Sequence, residues 1–332
     1  MKKQTVIAAL CLFTLLITGC SKKESPSAEE DPGDPPSADE IRTPVPFNQL
    51  PASTREFTVA GTRTYVDVMG KQRGKLPAFR NLATKQNTMR GYVKDIYGRP
   101  LKGADIGIRS SIIGGTYSSA SGQTDANGYY EILLPVGTVA VWGAKYLMDY
   151  ESGKAPVSLF PADSSLGSFR SVDGAVKNFV LLPYGQGQPE QIIKGPYWPS
   201  SYMGGSIHLS YTLRTESLPL PGSFPVGSVI RIKLTPLDLL HADEKISFTI
   251  RKTVESNELY INNIPLGRYK IELKLENGPD ILMEESINLK PDFGMQPKQA
   301  SGSTQITFIP GDPEVMVWYG NWWIVPINIE LP

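Results

Sequence analysis

Strict period-two alternation is the feature that most narrows the folds open to this chain. Tyr269, Ile271, Leu273 and Leu275 alternate with Lys270, Glu272 and Lys274. Successive side chains of an extended strand point to opposite faces, so such a run makes a strand with one apolar and one wet side. The same period recurs at Ile207, Leu209, Tyr211 and Leu213, at Ile230, Ile232 and Leu234, and at Ile246, Phe248 and Ile250. Strands of this kind pair face to face around a shared interior. The 31 Gly and 28 Pro among 332 residues supply turn chemistry at a density helices do not tolerate. The chain is therefore expected to be all-β, and it is long enough for two cores.

A first strand series lies upstream. Met89 to Asp95 alternates, Tyr97 to Gly103 turns, and Ala104 to Ile108 alternates again. Next, Thr124-Asp125-Ala126-Asn127-Gly128 places Asp125, Asn127 and Gly128 where a tight turn needs side-chain capping and a positive φ. Tyr129 to Ile132, Val139 to Trp142 and Lys177 to Pro183 follow as strands, with Pro135-Val136-Gly137 as punctuation. The order G-x-V-x-D, G-x-P-L-x-G-A, T-D-A-N-G-x-Y-x-I and P-x-G resembles the carboxypeptidase regulatory-like domain, a transthyretin-like (prealbumin-like) β-sandwich. The resemblance covers residues 89–183 and implies structural roles for Gly91, Gly103, Ala104, Asp125, Gly128, Pro135 and Gly137. It implies an accessory sandwich and transfers no peptidase activity. The Ser/Gly-rich stretch from Ser110 to Gln123 departs from the pattern and is expected to be a wide, variable loop.

A second Pro-x-Gly, Pro265-Leu266-Gly267, sits between two strands as Pro135-Val136-Gly137 does. The expectation is tandem transthyretin-like antiparallel β-sandwiches, at 87–184 and 204–332, joined by a linker over 185–203. Residues 45–86 are left unassigned, either docked on the neighbouring domain or forming a collar.

The N-terminus carries an address. Lys2 and Lys3 precede an apolar run from Thr5 to Ile17, and Ile17-Thr18-Gly19-Cys20 follows at once. This resembles the lipobox of bacterial lipoproteins, and the run is shorter than the roughly 20 residues that span a bilayer. Residues 1–19 are expected to be a signal peptide, with Cys20 carrying acyl chains that anchor the protein to a membrane. Residues 20–44, rich in Ser, Pro and acids, read as a disordered tether. By resemblance to known sorting rules, Ser21 after the cysteine leans toward the outer membrane. The other cysteine, Cys11, falls in the removed segment, so neither disulfide nor thiol chemistry is expected in the body. Net charge is +0, and −2 once the signal is removed, which disfavours a nucleic-acid partner.

Little in the chain suggests catalysis. His208 and His241 are the only histidines, no metal or cofactor site is expected, and neither G-x-S-x-G nor a phosphate-loop motif occurs. Counting twelve from Asp125 reaches Val136 instead of the Glu a calcium loop needs. The acid pairs Asp243 with Glu244 and Asp312 with Glu314 read as surface charges. Two aromatic groups have functional appeal: Trp318, Tyr319, Trp322 and Trp323, and Tyr197 with Trp198. Exposed rings stack on sugars and anchor protein interfaces, although rings also plug sandwich ends or seal domain junctions. The expectation is a non-enzymatic outer-membrane lipoprotein that binds or scaffolds glycan or protein at the cell surface. The alternative is a pilin-like or adhesin subunit joined by strand exchange.

Overall fold

The structure, a computed structural model, describes residues 40–112, 115–216, 220–287, 290–311 and 319–332. The signal segment with Cys20, and the tether up to residue 39, lie outside the described residues. The chain is all-β, folded as two sandwiches.

Strands β1 (Ala52–Val59) and β2 (Tyr65–Asp67) come first. The first sandwich follows with β3 (Thr88–Asp95), β4 (Asp105–Ile112), β5 (Thr116–Gln123), β6 (Tyr129–Leu133), β7 (Thr138–Tyr150), β8 (Gly153–Ser158) and β9 (Phe179–Leu181). A short helix, α1 (Pro189–Lys194), leads to the second sandwich. This comprises β10 (Gly205–Ser210), β11 (Val229–Leu239), β12 (Lys245–Thr253), β13 (Glu258–Ile264), β14 (Gly267–Leu275), β15 (Leu282–Glu285), β16 (Ser303–Thr307) and β17 (Val325–Glu330).

The two sandwiches repeat one topology. One sheet runs β5-β4-β7 in the first and β12-β11-β14 in the second; the facing sheet runs β6-β3-β9 and β13-β10-β17. In both, the last strand returns beside the first in parallel, Phe179 opposite Val93 and Ile327 opposite Leu209. The expected purely antiparallel sheets are thus amended at the same place in each copy. The Asp125 turn forms as its sequence dictates: the carboxylate Oδ1 accepts from the backbone N–H of Asn127 (2.8 Å) and Tyr129 (3.0 Å), and Gly128 adopts φ +71°.

Ser110–Gln123 is not a wide loop. Ile112 pairs with Thr116 and the ladder runs unbroken to Asp105 opposite Gln123, so the stretch is a hairpin ending in edge strand β5. Backbone hydrogen bonds make this strand although small residues fill it: one face is exposed, and the other, with Ala120 resting on the core, is only half-buried.

The unassigned extension belongs mainly to the second sandwich. β1 lies parallel on β12, and β2 parallel on β13, so each sheet gains an edge strand from residues that precede the first sandwich. The second sandwich is therefore discontinuous in sequence, with the first inserted into it. Lys252, fully buried, fastens this arrangement by donating from Nζ to the carbonyls of Gly61 (2.6 Å) and Arg63 (2.8 Å). Between β2 and β3 the chain crosses the outer face of β3. There Lys94, 2% exposed, donates to Glu40 Oε2 (2.9 Å) and Ala78 O (3.0 Å), and Arg80 pairs with Glu40. Arg90, Tyr92 and Lys94 are buried on that side, while Met89 and Val93 face the core. The main apolar core is continuous through both sandwiches.

Candidate functional site

The outer face of the β2-β13-β10-β17-β15 sheet gathers the groups with binding chemistry. Leu259 and Ile261 on β13, and Ile207 and Leu209 on β10, point into the core. The period of two then obliges Glu258, Tyr260, His208 and Ser210 to face outward. Register sets them in rows across the strands. Tyr65 lies opposite Tyr260, Tyr260 opposite His208, and His208 opposite Pro326. The adjoining row reads Glu258, Ser210, Asn328, Glu284 and Gln299, one residue per strand. At the usual interstrand spacing this polar row is about 19 Å long.

Stacked, tilted and edge-on ring contacts hold the aromatic row. The His208 ring lies on Tyr260 at 4.2 Å and 12°. Tyr197 tilts against Tyr260 at 6.1 Å and meets Trp198 edge-on at 5.7 Å. The supposed linker that carries these two rings is tightly held. Buried Asn262 donates from Nδ2 to the carbonyls of Pro196 (3.2 Å) and Tyr197 (3.1 Å), and Tyr202 Oη donates to Pro196 O (2.6 Å). Gly195 is required here by close approach, since a Cβ would sit 2.6 Å from the Trp198 indole. One face of the indole therefore rests on backbone, and Trp198 stays 45% exposed and Tyr197 39% exposed.

Two shallow grooves flank the polar row. One of about 320 Å³ includes Ser210, Asn257, Glu258, Asn328 and Glu330 in its wall. The other, about 400 Å³, includes Leu282, Glu284, Gln299, Asn328 and Glu330. They share Asn328 and Glu330, and neither wall contains Lys or Arg. Burial first, and then the Glu258 carboxylate, hold the Tyr260 phenol above its ordinary range. Burial likewise pushes Tyr211, in the first groove, up to about 12. Both phenols stay protonated and can donate.

Ser210, His208 and Glu258 superficially suggest a nucleophile relay, yet their geometry does not build one. His208 Nε2 is 3.2 Å from Glu258 Oε2 and 3.4 Å from Ser210 Oγ, so acid and hydroxyl meet the same ring nitrogen. A relay needs the acid on the other nitrogen. The spacing H-x-x-E does occur once, at His241 and Glu244. Its members face different partners: His241 Nε2 meets Arg99 Nη2 at 2.9 Å, and Glu244 pairs with Arg55 at 3.7 Å. Among the described residues no three His, Cys, Asp or Glu converge as a metal site. Asp243 is paired with Arg42 at 3.3 Å, and Asp312 and Glu314 lie outside the described residues.

The two aromatic groups have different fates. Trp318 lies outside the described residues, and Tyr319 is half-buried. Trp322 is only 6% exposed and packs on the Tyr150 ring of β7 at 4.9 Å, so it seals the junction between sandwiches and is not a ligand-facing ring. Asn321 beside it accepts from Ser158 N (3.0 Å) and donates to Pro156 O, both on β8. Trp323 is half-buried under Lys290, 5.4 Å from its ring. Among the described residues, Tyr197 and Trp198 are the expected rings that stand at an open face. Tyr65, His208, Tyr260 and the polar row were not singled out in the sequence as ligand contacts. The outward parity of His208 was the available signal, but register across five strands is not written in any one of them.

No family model matches the chain, and no curated protein matches it. Among solved structures, the Bacillus anthracis TIE protein is 12% identical with a TM-score of 0.29, over 74% of this chain and 33% of that one. A streptococcal ancillary pilin is 12% identical with a TM-score of 0.21, over 74% of this chain and 62% of that one. The chain thus spans about a third of the length of the first and under two thirds of the second.

Proposed function

We propose that this chain is an exported, lipid-anchored, non-catalytic binding module of a bacterial outer membrane that holds a glycan on the outer face of its second sandwich. The observation that carries the reading is the row of aromatic rings, with Tyr197 and Trp198 half-open beside it, laid next to a row of carboxylate, hydroxyl and amide groups. Sugars offer an apolar ring face and a rim of hydroxyls, and such paired rows match both. The centre of a protein interface is depleted in charged groups, which makes a protein ligand a poorer fit for this polar row. The N-terminal signal with Cys20 supports the anchor, and the shared ring nitrogen of Ser210 and Glu258 supports a non-catalytic role.

Screening residues 40–332 on a glycan array tests the ligand class. Expected is retention of at least one glycan, lost in the Trp198→Ala, Tyr260→Ala double variant; a blank array sinks the reading. Palmitate labelling tests the anchor: label incorporation that survives Cys20→Ala would refute it.

One observation favours a second reading, a pilin-like or adhesin subunit. β1 covers the edge of β12, yet only Val59 of its eight side chains is buried, and the matching edge strand β5 has no such cover among the described residues. A strand of that kind is removable, and an open edge can accept one. Sedimentation of the mature protein as a monomer at every concentration would argue against polymerisation.

A further inference from the structure

We infer that the binding face selects neutral or amine-bearing saccharides and rejects acidic ones. The inference rests on the glycan reading above and adds the charge class of the ligand.

Three carboxylates, Glu258, Glu284 and Glu330, stand in or beside the polar row, with Asn328 between them in register. No Lys or Arg contributes to either groove wall. The partners of these acids are neutral or shared: Gln299 Nε2 donates to Glu284 Oε1 at 2.8 Å, and His208 Nε2 lies 3.2 Å from Glu258. The cations at the margins of this face lie outside both groove walls. Arg214 donates from Nε to Ser223 Oγ at 3.4 Å, and Arg63 lies over the Tyr65 ring at 4.6 Å while donating to Tyr65 O. A uronate or sulfated sugar in either groove would bring its own negative charge against these carboxylates with no Lys or Arg in the groove wall to neutralise it. A neutral sugar finds acceptors in Glu258 and Glu284, and donor and acceptor amides in Asn328 and Gln299. An amino sugar finds the same groups plus a charge of opposite sign.

The opposite face of the same sandwich shows what a different selectivity looks like. There Arg251, Arg231 and Lys274 sit side by side in one cross-strand row, with Lys233 in the next. That face is mixed, since Glu276 pairs with Arg251 and Glu272 lies opposite Lys233, but it carries the cations that the ring-bearing grooves lack, so the acidity of those grooves is not a property of the domain as a whole.

The test uses the full-length lipoprotein in detergent micelles, at pH 8 for the neutral and acidic oligomers, where ordinary imidazoles are neutral, and at pH 6 for the chitosan hexamer, whose amines carry charge only toward the acid side. Calorimetric titration with a neutral panel (cello-, xylo-, manno-, malto- and chitohexaose), with chitosan hexamer and with hexagalacturonate gives the ranking. Expected is binding of at least one neutral or amine-bearing oligomer, with hexagalacturonate about tenfold weaker or worse. The gap should narrow in high salt and in the Glu258→Gln, Glu284→Gln double variant, because screening and charge removal act on the same repulsion. If hexagalacturonate binds as tightly as the best neutral oligomer, the selectivity inference falls and the glycan reading stands. If no oligomer binds at all, the glycan reading falls with it.

Discussion

At the scale of single residues, His241 shows how one side chain can tie the two sandwiches to pH. It sits at the junction with φ +49°, its ring edge-on to Tyr97 at 5.6 Å, while Tyr97 Oη donates to Ala242 O at 2.9 Å. Arg99 can only donate, so His241 Nε2 accepts and the proton resides on Nδ1, which is buried and has no partner among the described residues. Burial above all, and Arg99 to a lesser degree, hold the imidazole below its ordinary 6.5, against the opposing pull of Asp95 at 3.6 Å. Arg42 and Asp243, paired across the same junction, complete the charges nearby. With the folded pKa below the unfolded one, the unfolded chain binds the extra proton first. Stability from this residue is therefore full above 6.5 and is lost as pH falls through the lowered value. His241→Asn keeps a residue that tolerates positive φ and removes the titration. The melting temperature of the wild type should drop more between pH 7.5 and pH 5 than that of the variant. Parallel falls in the two proteins would rule the mechanism out.

At the scale of elements, what was legible in the sequence was whatever local chemistry dictates. Tyr269 to Leu275 announces β14 because its two faces differ in polarity, and Asp125, Asn127 and Gly128 announce their turn because few other residues could make it. β5 was hidden because Ser, Gly and Thr carry no apolar period, and the ladder that defines it is a backbone property. The partnership of β1 with β12 was equally hidden, since paired residues such as Ala52 and Lys245 are 193 positions apart with a whole sandwich between them. The parallel β3–β9 pair offers a test of the motif glycine. A Cβ on Gly91 would lie 1.8 Å from the carbonyl oxygen of Lys177, just before β9, a clash no side-chain rotation relieves. Gly91→Ala should cost about 3 kcal/mol or more, at or beyond the upper end of ordinary overpacking. Urea titration gives the number, and a loss under about 1 kcal/mol would mean that β9 yields more easily than its burial suggests.

At the scale of the whole molecule, the first described strands lie in the second sandwich, the chain then builds the first and returns, so order along the sequence is a poor guide to what supports what. Val59, Val66 and Val68 are buried in the common core at 1–6% exposure. Each contributes about 1.5–3 kcal/mol by burial, a large fraction of a net stability of about 5–15 kcal/mol. These three valines precede the first sandwich, yet the strands they support are β12 and β13. A triple Val→Asp variant at 59, 66 and 68 should therefore strip hydrogen-exchange protection from residues 245–264 first. Residues 105–112 and 138–150, in the nearer sandwich, should hold theirs longer, because their ladders do not include the altered strands. A simple tandem of independent domains predicts the reverse order, with damage confined to the neighbour in sequence. Loss of protection in β4 and β7 ahead of β12 and β13 would overturn the inserted arrangement. The triple variant should also disorder the aromatic row, since Tyr65 of β2 begins the row that Tyr260 and His208 continue.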